Sequence, residues 1–79
     1  MTGIEKDIDM REMKDRVMID VFKKKIQETE LDPKRLKGTW AEASEILQSH
    51  FGKLSRIMIL NQYKLQRLYR TALEELARD

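Results

Sequence analysis

Residues 39–77 read TWAEASEILQSHFGKLSRIMILNQYKLQRLYRTALEELA, and the way this stretch divides decides the fold. Thr39-Trp40-Ala41-Glu42 has the Ser/Thr-x-x-Glu pattern of a helix start, in which hydroxyl and carboxylate each take up a backbone N–H left unpaired in the first turn. From Leu47 the apolar line runs through Phe51, Leu54, Met58, Asn61, Leu65, Leu68 and Ala72 in alternating steps of four and three. That is a heptad seam, and it crosses Gly52 without a slip. A new helix starting at Lys53 would set Lys53 and Arg56 at its positive end and Glu74 and Glu75 at its negative end, both against the macrodipole. The stretch therefore predicts one long helix over 39–77, with Gly52 inside it at a cost of about 1 kcal/mol relative to alanine. The alternative is a break at Gly52 into two helices.

Working toward the N-terminus, Glu30 to Gly38 reads as a connection. Asp32-Pro33 suits the cap and first position of a single turn. Gly38 suits a left-handed residue closing it, with Leu31 and Leu36 tucking the loop onto the core. Before the connection, Thr2-Gly3-Ile4-Glu5 is another capping box. Ile4, Ile8, Met10, Met13, Val17, Met18, Val21, Phe22 and Ile26 then recur at mostly helical spacing. This helix is predicted to end near Thr29. Its apolar stripe is broad, so it is expected to touch more than one neighbour.

The predicted fold class is all-α, a hairpin of two long helices over a single domain spanning 1–79. At 1.5 Å per residue the first helix is about 37 Å long and the second about 57 Å, so the first covers only part of the second. The end left bare carries Leu65, Leu68, Tyr69, Ala72, Leu73 and Leu76, an apolar surface that calls for a cover. A second copy is the simplest one, giving a homodimeric helical bundle with Met58, Asn61, Leu65, Leu68, Tyr69, Ala72 and Leu76 as the expected interface. Asn61 on the seam would pair with its symmetry mate and set the register. A break at Gly52 would instead permit a monomeric three-helix unit.

Composition narrows function. The chain has 79 residues, no cysteine and one histidine, His50, so disulfides, thiolate metal sites and multi-histidine metal sites are excluded. Charged residues make up 38% of the chain beside only three glycines and one proline, the composition of long helices. No apolar run reaches the length of a membrane span, and the polar N-terminus does not resemble a secretory signal, so the expected location is cytoplasmic. His50 has no nucleophile and orienting acid at catalytic spacing. No phosphate loop, His-Glu-x-x-His or calcium loop is present. The reading is a non-enzymatic protein without a cofactor.

The informative feature is a block of one charge sign. Residues 53–73 contain Lys53, Arg56, Lys64, Arg67 and Arg70 and no acid, a net of +5 out of a chain total of +2. On a helical wheel these five fall within an arc of about 120°, opposite the seam. Tyr63 lies inside the arc, and Ile59 and Leu60 point toward it. A greasy patch ringed by arginine and lysine is a partner-binding layout. The expected function is protein–protein interaction, as a small regulator or adaptor, through Lys53, Arg56, Leu60, Tyr63, Lys64, Arg67 and Arg70. The second reading is nucleic-acid binding, with these cations on phosphates and Tyr63 stacked on a base. Against it stands the low total charge. A solvated face with an excess of one sign is the plain alternative to both.

Overall fold

The computed structural model describes residues 14–78, and within them every regular element is a helix. The Thr2–Glu5 capping box, with Ile4, Ile8, Met10 and Met13, lies outside the described residues. Helix α1 spans Asp15–Glu28 and turns Met18, Ile19, Phe22 and Ile26 inward. Their steps of one, three and four keep all four within one side of the helix. The helix stops where the sequence suggests, at Thr29, whose hydroxyl donates back to the carbonyls of Lys25 and Ile26. The stop is completed by Glu30 at a φ of 59°. The N–H of Leu31 then reaches Ile26 O at 3.2 Å, and that of Glu30 reaches Gln27 O at 3.2 Å. Those are the paired bonds of a Schellman end, built on glutamate where glycine is usual.

The connection also follows its local chemistry. Asp32 Oδ1 accepts from the Lys34 N–H and its carbonyl accepts from the Arg35 N–H, closing one turn after Pro33. Gly38 takes a φ of 75°, as the turn requires. Leu36 packs against the core. Leu31 does not tuck in: it stays 42% exposed, carried outward by the left-handed residue before it.

Helix α2 spans Trp40–Phe51 and starts on Thr39, whose hydroxyl accepts from the Glu42 N–H at 3.3 Å. The long helix does not form. The chain leaves α2 at Gly52, whose φ of 89° no helix contains and whose N–H returns to Gln48 O at 2.8 Å. It re-enters helix at Ser55, where the hydroxyl accepts from the Met58 N–H at 3.1 Å. Helix α3 is the single short stretch Arg56–Leu60, and α4 spans Gln62–Arg78. Between them Asn61 bends the path without ending the ladder: its N–H reaches Ile57 O at 3.0 Å and its carbonyl accepts from the Leu65 N–H at 3.0 Å.

This break changes what covers what. With the chain turned back at Gly52, α4 lies against both α1 and α2. The longest dimension is 38 Å, well short of the ~57 Å of an unbroken helix. Met58, Leu65, Tyr69 and Ala72 are wholly buried, Leu68 nearly so, and Leu76 packs on the same core. The seam expected to receive a second copy is thus filled by α1 and α2 of its own chain. Asn61 turns its side-chain amide back onto its own helix, donating to Ile57 O at 2.8 Å. The helix-length mismatch that called for a dimer is gone.

Polar ties fasten the layers. Arg16 makes a fork onto Glu75, at 2.8 Å and 2.6 Å, and Lys23 joins the same carboxylate at 3.1 Å, locking α1 to α4. The hydrogen bonds from Arg16 and Lys23 hold the Glu75 carboxyl down at about 2. Across the core the Phe22 and Tyr69 rings meet with centroids 5.1 Å apart.

Candidate functional site

The outer side of α3 and α4 is where the structure leaves large apolar groups in water. Ile59 is 51% exposed, Leu60 76% and Tyr63 81%. They are outward because the opposite side of the same turns is committed: Met58 and Leu65 go into the core, and one helix cannot bury both faces against α1 and α2. Since the hydrogen-bond ladder passes Asn61, the helical phase is kept. Arg56, Leu60, Tyr63, Arg67 and Arg70 therefore advance by four, three, four and three along one line.

Of the seven residues expected on this surface, five form that line and two depart from it. Lys53 sits in the turn after Gly52, off the helix, so the continuous 53–70 arc is not formed. The reason is the positive φ at Gly52, which points the chain away before Ser55 restarts it. Lys64 is half-buried and bonded to Asp15 at 3.1 Å, tying α4 to the start of α1 rather than facing a partner. Arg70 keeps its place but is partly committed, its Nε donating to Gly38 O at 3.1 Å. Gln66 donates to the same carbonyl at 3.1 Å. Among the described residues Arg56 and Arg67 have no acidic partner. Tyr63, Lys64, Gln66, Arg67 and Arg70 border a shallow depression of about 500 Å³.

A second concavity, of about 360 Å³, opens on the other side, between the end of α1, the connection and α2. Leu31, Leu36 and Ile46 wall it, and Glu42 and Tyr69 meet within it. Sequence reasoning did not foresee it. The one available signal was Glu42, whose role as a capping-box acid concealed its wider use. Its carboxylate accepts the N–H groups of Lys37 at 3.1 Å and Gly38 at 2.9 Å, and the Tyr69 O–H at 3.2 Å. Desolvation pushes the Glu42 carboxyl up, but the bonds from Lys37, Gly38, Tyr69 and Thr39 outweigh it and leave it below its ordinary range. Burial, with the adjacent Glu42 charge, pushes the Tyr69 phenol well above its own. This arrangement pins the connection to α2 and α4, and Glu45 and Ser49 of α2 line the same concavity.

Chemistry elsewhere is sparse. His50 is exposed, its ring meeting Phe51 edge-on with centroids 4.6 Å apart. Among the described residues no three His, Cys, Asp or Glu side chains group as a metal site would need. No helix among them is long and apolar enough to cross a membrane.

The chain matches no protein family, no curated protein and no solved structure.

Proposed function

We propose that this protein is a non-enzymatic interaction module, a small regulator or adaptor, that engages an acidic protein surface through the outer side of α3 and α4. The observation carrying this reading is the exposure of Ile59, Leu60 and Tyr63 together, framed by Arg56 and Arg67. A single exposed leucine is ordinary. Three large apolar groups within five positions, rimmed by arginines with no acidic partner among the described residues, have the layout of an interface: apolar and aromatic centre, charged edge. Burying Leu60 alone contributes about 1.5–3 kcal/mol, and arginine and tyrosine are the residues over-represented where binding energy concentrates. The cations add steering and partner choice.

A second copy is a poor fit to this role, because it would bring the cations of this face against the same cations of its partner. Nucleic acid is the second reading, favoured by one specific feature, the depression in which the exposed Tyr63 ring stands beside Arg67 and Arg70. Stacking on Tyr63 with phosphates on the two arginines is chemically sound. Phosphates, however, gain nothing from Ile59 and Leu60.

The deciding experiment places a photo-crosslinking residue at Leu60 in cells and identifies what is captured, beside the same chain carrying Arg56→Gln and Arg67→Gln. Capture of one protein, weakened by the glutamines, is the expected result. Capture of nucleic acid, with a salt slope that falls by about one unit per lost phosphate contact, would replace it with the second reading.

A further inference from the structure

We infer that the element seated on this face is an acidic amphipathic helix, an inference that rests on the protein-binding reading and adds the partner's shape and sequence pattern to it. The outward line Arg56, Leu60, Tyr63, Arg67, Arg70 repeats the four-three spacing at which one helix meets another. It is about 21 Å long, roughly four turns. Its centre is apolar and aromatic, with Ile59 widening it on one side, and its ends are cationic. A helix lying along it needs apolar residues three and four apart over Leu60 and Tyr63, and Asp or Glu opposite Arg56, Arg67 and Arg70.

Other occupants fit less well. An added strand pairs with an open sheet edge, and no strand exists among the described residues. A proline-rich segment docks between several aromatics, whereas Tyr63 stands alone on this line. A second copy of the chain would set the three arginines of one line against the three of the other, in a stretch from 53 to 73 that has no acid to relieve them. Like charges brought together are penalised at an interface. Charge complementarity therefore selects an acidic partner, and the spacing selects a helical one.

The test uses the full chain and labelled three-heptad peptides read by fluorescence anisotropy. One peptide carries leucine at its core positions and glutamate beside them. A second has the same composition with a proline at its centre, which breaks the helix. A third replaces every glutamate by lysine. An oligothymidylate is measured in parallel. The expected result is micromolar binding of the first peptide that weakens with salt, about tenfold or more loss with the proline, and no binding of the lysine form. Leu60→Gln with Tyr63→Gln, at exposed positions that leave the core alone, should lower affinity about tenfold or more. Equal binding of the first two peptides would overturn the helical partner while leaving an acidic protein partner standing. Unchanged binding by the Leu60, Tyr63 variant would overturn the placement on this face. Failure of every peptide, with or without capture of the oligothymidylate, would overturn the inference and the protein-binding reading together.

Discussion

Two glycines carry the turns that shape this molecule, and they do so differently. Gly52 adopts a φ of 89° in open space, with nothing within 4 Å of where a Cβ would stand. Its requirement is purely of backbone. Gly52→Ala should therefore lower stability by about 1–3 kcal/mol, seen as a lower melting temperature. An unbroken helix would respond with the opposite sign, since alanine is the better helix former. Gly38 combines a φ of 75° with a close approach: a Cβ there would stand 2.8 Å from Arg70 Cγ. Gly38→Ala should cost about 2 kcal/mol or more, from the conformation and the overlap together. Adding Arg70→Ala removes the overlap but not the φ. The double variant should then lose less than the sum of the single changes, and chemical denaturation of all three reads that coupling directly.

At the scale of elements, α1 is clamped to α4 by charge as well as by packing, and the clamp is pH-dependent. Glu75 titrates at about 2 when folded, against an ordinary 4.5, because Arg16 and Lys23 bond its charged form. A carboxylate held low when folded stabilises the fold fully above its unfolded value. That contribution is lost as pH falls from about 4.5 toward 2. Thermal melts should show stability dropping across that window, and Glu75→Gln should flatten the drop while lowering stability at neutral pH. Tyr69 acts at the other end of the scale. Its raised pKa means that its neutral form is favoured by folding, so its contribution is intact below its ordinary value of 10.0 and is lost as pH rises beyond it. Helix α3 shows how a short element is sustained. A five-residue helix has little stability of its own, and here the Ser55 cap and the burial of Met58 hold it. In the sequence Gly52 marks a possible break, whereas Ser55 as the start of a new helix goes unread behind the uninterrupted heptad, which α2, α3 and α4 satisfy equally well by turning the same residues inward.

At the scale of the whole molecule, the folding-back at Gly52 converts an expected interface into an interior. With Met58, Leu65, Tyr69 and Ala72 wholly buried, the isolated chain should elute and scatter light as a monomer of 9.4 kDa at micromolar concentration. A stable mass twice that value would mean that another face associates, and Leu60→Gln would then show whether it is the outer one.

Local chemistry was enough to determine the helical class, the end of α1 at Thr29, the turn after Asp32, the left-handed Gly38 and the start of α2 at Thr39. Each depends on bonds among residues a few positions apart. The excess of positive charge between 53 and 73 was equally plain, because charge is a property of composition. The path of the chain beyond Phe51 was not determined in this way. A heptad records which residues face inward, and it reads the same whether they face one long partner or a core assembled by turning back. Local preferences at Gly52 differ by only about 1 kcal/mol between the two. Burying α4 between α1 and α2 removes Leu65, Leu68, Tyr69 and Ala72 from water at about 25 cal/mol per Å² of apolar surface, a much larger quantity. That burial exists only once distant parts of the chain have met, so the tertiary structure alone decided the break, the filled seam, and the five residues left in line on the outside.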